Sequence, residues 1–156
     1  MKRLAYGCVA FLAVFGGHTL LAQFGGRTVP TVGPEPQSGE FMLLNPNSRL
    51  SALERQTLGQ PAPPLEIRGD RSPVRLPTRQ PIFVVRRQAG DPGDLLQLFA
   101  MTVVGNTRRQ GPAVPYEVTA YGSNSFKLTL AAPLSPGEYC LRISTLRQAS
   151  CFGADR

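Results

Sequence analysis

Beyond residue 40 the chain never sustains an apolar stripe of helical period. It offers short segments, alternating or wholly apolar, each closed by Pro, Gly, Asn or Asp. The clearest is Ser125 to Leu130 (SFKLTL), with Phe126, Leu128 and Leu130 on one face and Ser125, Lys127 and Thr129 on the other. That is the period of an extended strand with one buried side. Tyr116 to Tyr121 (YEVTAY) likewise sets Tyr116, Val118 and Ala120 together, and Tyr139, Leu141 and Ile143 form one face of a later strand. Sixteen glycines and fifteen prolines in 156 residues suit a domain of many turns better than a helical one.

The remaining segments follow the same logic. Phe41 to Leu44 is a short apolar strand, read as an interior strand in preference to an open edge, and Asn45-Pro46-Asn47-Ser48 turns the chain after it. Leu50 to Thr57 returns as a second strand, with a short helix over SALERQ as the alternative on propensity. Gln60 to Pro64 is a breaker, and Leu65 to Arg68 and Pro73 to Leu76 are short strands. Ile82 to Val85 is apolar on both faces, as a doubly covered strand requires. Asp91-Pro92-Gly93-Asp94 is a turn, and Leu95 to Val104 is strand by its Phe, Thr and paired Val. Ala149 to Gly153 closes the domain. Seven to nine strands in about 115 residues predict an antiparallel two-sheet, immunoglobulin-like sandwich over residues 40–154.

The first forty residues differ in kind. Met1-Lys2-Arg3 followed by the apolar run Leu4 to Phe15 reads as a secretory signal over residues 1–22, cut after Ala22. Cys8 stands close to the start and Ala5-Tyr6-Gly7 before it is a poor match to a lipobox, so a lipid anchor is not expected. Residues 23–39 (QFGGRTVPTVGPEPQSG) form a flexible or loosely docked arm rich in Gly and Pro. After the leader no apolar segment is long enough to span a membrane. The expected location is therefore the periplasm or the exterior, envelope-associated.

Export gives the cysteines a meaning. Loss of the leader leaves Cys140 and Cys151, and an even pair in an oxidising compartment suggests a bridge. A hairpin turning at Thr145-Leu146 would oppose the two directly, within disulfide reach. No CxxC is present, which argues against a redox enzyme.

Chemistry is scarce. The single His, His18, lies in the leader and there is no Trp, so His-based triads and the usual zinc sites are excluded from the mature chain. Seventeen Lys and Arg face ten Asp and Glu. Without Lys2 and Arg3 the only Lys is Lys127.

Leu134-Ser135-Pro136-Gly137-Glu138-Tyr139-Cys140-Leu141 resembles the L-x-P-G-E-Y-x-L corner of many immunoglobulin-like and fibronectin-like bacterial domains. There Pro136 and Gly137 make the crossing turn, and the Tyr139 ring enters the core while its hydroxyl needs a backbone partner. With Leu53 to Thr57, Arg71 to Leu76, Phe83 to Arg86 and Val114 to Glu117, the order of motifs is similar to that of a group of uncharacterised exported bacterial β-sandwich proteins. The resemblance implies fold and export and carries over no catalytic residue. Where an aromatic-rich first hairpin is expected, this chain has LLNPN.

Three chemical readings remain. Arg68, Arg71, Arg75, Arg79, Arg86 and Arg87 fall within twenty residues, opposed only by Asp70. Their guanidinium forks could hold an acidic glycan or lipopolysaccharide phosphate; nucleic acid is disfavoured because Phe83 is the one aromatic there. Asp70, Asp91, Asp94, Glu117 and Glu138 could serve a small hydrolase, but no acid-rich loop supplies the six or more oxygens of a calcium site. A Ser nucleophile with Lys127 as base lacks its motifs. The expectation is a non-enzymatic interaction module without cofactor or metal, whose partner is an envelope protein or cell-surface component.

Overall fold

The structure, a computed structural model, describes residues 35–59, 64–86, 96–122 and 124–155. These form an all-β sandwich of two sheets without helix. Twelve strands occur among the described residues: β1 (Phe41–Leu44), β2 (Leu50–Ala52), β3 (Glu54–Thr57), β4 (Glu66–Arg68), β5 (Arg75–Leu76), β6 (Ile82–Arg86), β7 (Leu96–Val104), β8 (Thr107–Ala113), β9 (Tyr116–Tyr121), β10 (Ser125–Leu130), β11 (Gly137–Ile143) and β12 (Gln148–Ala154). One sheet has the order β2-β1-β6-β10-β9. The other runs β3-β12-β11-β7-β8-β4, with β5 beside β12. All pairings are antiparallel except the short β5–β12 contact.

The first core lies between the sheets. Phe83, Val85, Leu128 and Leu130 from one side meet Leu98, Tyr139, Leu141 and Phe152 from the other. Phe152 is its centre, with the Phe83 ring at 5.0 Å and the Tyr139 ring stacked at 5.6 Å. Leu128 and Leu130 of β10 and the Tyr139 face of β11 are seated as expected, with Phe126 partly buried against them, whereas Ser125, expected outward, is buried. The Tyr139 hydroxyl donates to the Ser135 carbonyl at 2.7 Å.

The larger sheet is covered on its other face too. Leu58, Leu65, Ile67, Phe99, Met101, Cys140, Ala149 and Cys151 form a second core there. Leu58 and residues 64–76 supply its lid, and the sheet curls until it nearly closes as a barrel. This explains why every residue of β11 after Gly137 is buried, Glu138 and Arg142 included, and every residue of β12 after Gln148. Cys140 and Cys151 are directly opposed, with Cα atoms 4.1 Å apart and sulfurs at disulfide distance, 2.01 Å.

Four expectations need correction. The strand count exceeds seven to nine because several strands have only two to four residues. Leu50–Thr57 is neither one strand nor a helix: β2 pairs with β1, β3 pairs with β12, and buried Leu53 is the crossing point between sheets. Thr107–Ala113, to which the sequence pattern assigns no element, is β8; a register shift between Phe99 and Met101 of β7 absorbs its irregularity. Val118 and Ala120 do not face a covered core, because β9 is the end strand of its sheet, and Tyr121 is buried instead. The end of the Gly/Pro-rich arm docks: Pro36 is buried, Ser38 bridges to Arg86, and the Gly39 amide donates to the Arg86 carbonyl. Residues 1–34, Arg87 and the Asp91–Asp94 turn lie outside the described residues.

Candidate functional site

The densest polar constellation sits inside the second core, and Arg108 is its hub. Arg108 stands on β8 opposite Ile67 of β4 and is fully buried. Its guanidinium reaches across the barrel opening to β3, donating to both carboxylate oxygens of Glu54 at 2.9 and 3.1 Å. Its Nε donates to the Gly69 carbonyl at 3.0 Å, and Glu138 of β11 lies 3.7 Å away. Glu138 in turn accepts from the Ser72 amide at 2.7 Å and from Arg75. Arg75 also grips Asp155 through Nε at 3.1 Å, and Arg71 reaches the same carboxylate at 3.5 Å. A buried charge persists only when paired and hydrogen-bonded, and the buried Glu138 and largely buried Glu54 have such partners, while Asp155 is half exposed.

The electrostatics agree with this geometry. Burial tends to raise the Glu54 carboxyl, but hydrogen bonds from Arg108, Ser72 and Gln56 outweigh it and hold the group below the usual carboxylate range. Arg75 holds Asp155 low by the same means, and the Asp155 bond raises Arg75. Burial pushes Arg142, on the same face of β11, down, and raises Tyr139 against the opposing influence of Arg79. Glu54 and Asp155 are therefore held toward their ionised forms. A general acid needs the reverse.

The arginines singled out by sequence are dispersed. Arg68 is exposed on β4, at the outer edge of the larger sheet. Arg71 and Arg75 converge on Asp155. Arg79 donates to the Leu134 carbonyl at 2.5 Å, at the base of the Pro136-Gly137 turn. Arg86 lies at the far end of β6, 3.8 Å from Glu35. Of the acids, Glu138 is bound into the cluster and Glu117 is exposed on β9. Among the described residues, no group of three or more His, Cys, Asp or Glu could hold a metal ion, and no helix is long and apolar enough to cross a membrane.

Sequence reasoning missed Arg108 and Glu54. Both stand on short polar strands, and neither carries a local signal of burial. Glu54 is placed inside by its register opposite Cys151, a pairing between segments far apart in the chain that no local pattern reports.

The second feature is an open edge. Among the described residues β9 has a ladder partner on one side only, β10. Glu117, Val118, Thr119 and Ala120 are consecutive exposed residues, and Val118 keeps 39% of its surface in water. At the start of β9 opens a cleft of about 320 Å³, lined by Ala100, Val114, Pro115, Ala132, Pro133 and Tyr139 among others. The opposite edge, β2, is three residues long, and Asn45 ties its Ser51 hydroxyl.

No family model, no curated protein and no solved structure matches the chain.

Proposed function

We propose that the chain is an exported, non-enzymatic interaction module of the periplasm or cell exterior. Its partner is an envelope protein, and its binding element is the β9 edge. The observation that carries this reading is the contrast between the two sites. Arg108, Glu54 and Glu138 are bound to one another inside the fold, whereas among the described residues β9 leaves four residues exposed and a backbone edge without a ladder partner beside an apolar cleft. An extended partner segment adds to such an edge by main-chain hydrogen bonds, and pockets beside it select side chains. The cleft at Pro115 and Pro133 would take the partner's apolar residue.

Affinity capture from the envelope of the producing cell tests the proposal, with wild-type protein beside Val118→Lys. The substituted side chain is exposed, so folding should change by less than about 0.5 kcal/mol. The expected result is a partner retained by wild type and lost with Val118→Lys. Equal retention by both would remove β9 from the proposal. A hydrolase remains the competing class; its acids include Glu117 on this edge and Asp91 and Asp94. Turnover by the purified protein that vanishes in the triple amide variant would favour that class instead. For the anionic-polymer reading, salt-dependent retention on heparin, lost when Arg86 and Arg87 become Gln, is the corresponding test.

A further inference from the structure

The second core is closed by charge, and what lies beneath the closure is the disulfide. Three points of the β4–β5 connection are held by the cluster: the Gly69 carbonyl by Arg108, the Ser72 amide by Glu138, and Arg75 by Glu138 and Asp155. Gly153 has no side chain where the Arg75 guanidinium crosses it; a Cβ there would meet that group. Glu54 directly opposes Cys151, and Glu138 is two residues from Cys140 on the same face of β11. Arg108 and Glu54 join β8 to β3, which share no ladder, while the ends of the cover are held by backbone, β4 on β8 and β5 on β12. The first core, by contrast, is assembled from apolar residues and Tyr139.

We propose that residues 64–76 are an ion-latched cover over the Cys140–Cys151 disulfide, released in acid while the sandwich remains folded. Protonation of Glu54 removes the carboxylate that both guanidinium nitrogens of Arg108 grip, and a buried guanidinium without that partner loosens the contact between β8 and β3. The groups facing the latch are Glu54 on β3, Arg108 on β8, Glu138 and Arg142 on β11, Arg75 on β5, and Arg71 and Asp155 beside them. The Arg109–Glu66 pair lies on the outer surface, more than half exposed, and does not take part. Opening exposes the buried sulfurs to a reductant that the closed state excludes.

A water-soluble phosphine is the probe, because thiol reductants lose their reactive thiolate in acid. The phosphine attacks one sulfur and the S–S bond breaks. Water then converts the phosphorus–sulfur adduct to phosphine oxide, leaving two thiols. Reduction is followed by mass at pH 7 and pH 3.5, each rate divided by that of the same protein in urea at the same pH. Hydrogen exchange is followed in parallel. The expected result is a relative rate about tenfold or more higher in acid, with exchange protection lost at Ile67 and Gln110 and kept at Phe83–Val85. Glu54→Gln should raise the relative rate at pH 7. If that variant does not fold, the wild-type exchange pattern decides alone. No acceleration in acid, or loss of protection at Phe83–Val85 together with the cover, overturns the proposal.

Discussion

At the scale of the residue, Arg108 is the most consequential side chain in the molecule. Replacing it with Leu leaves Glu54 and Glu138 buried beside a missing cation, and breaking a buried pair from one side costs about 3–5 kcal/mol. Urea unfolding should show a loss of that size for Arg108→Leu and one within about 1 kcal/mol for the exposed Arg68→Leu. The acids set a pH dependence with a definite sign. Glu54 and Asp155 titrate lower when folded than their ordinary range near pH 4. Their contribution is complete above the unfolded value and disappears as pH falls through the folded one. The urea midpoint should hold steady from about pH 8 to 5 and decline below about pH 4. A midpoint that rose in that acid range would contradict the assignment. Ser48 has a φ of 60° in the turn after β1, the one described residue other than glycine in that region. Ser48→Gly relieves the left-handed strain and gives back some of the gain as unfolded-state entropy, so a rise in stability of about 0.5 kcal/mol is expected from thermal melts.

At the scale of the element, legibility followed the locality of the forces. The SFKLTL alternation of β10 was readable because its inward face meets a broad apolar sheet and nothing distant decides it. The opposition of Cys140 and Cys151 was readable because a short hairpin fixes its own register. The break at Leu53 was not, since one unbroken string of residues serves two sheets and only the position of β12 makes Glu54 turn toward it. Nor was β8: its inward residue is an Arg whose burial depends on Glu54 and Glu138, far away in sequence. YEVTAY was read as strand but not as edge, because alternation reports periodicity and says nothing of whether a second layer covers the face. At Leu53 both halves of the switch share one buried side chain. Leu53→Ala should therefore cost about 2–4 kcal/mol in denaturant melts, and a cost near zero would place the crossing elsewhere.

At the scale of the whole molecule, one sheet serves two interiors, and the two are built from different forces. The inter-sheet core relies on apolar contact and ring packing, while the second core adds a covalent bridge and an ionic closure to a smaller apolar set. Removing the bridge as Cys140→Ala with Cys151→Ala should lower stability by about 2–4 kcal/mol, with the lost protection falling on β4 and β8 before β6 and β10. Among the described residues the exposed large apolar side chains are Val118 on the β9 edge and Val103 and Val104 at the end of β7, and of these sites the β9 edge is the one beside the cleft at Pro115 and Pro133. The most direct measurement is in-cell photo-crosslinking from position 118, with position 68 as an exposed comparison on the opposite sheet. The account predicts one discrete adduct at 118 and none at 68. Equal labelling of both positions, or an adduct confined to position 68, would contradict it.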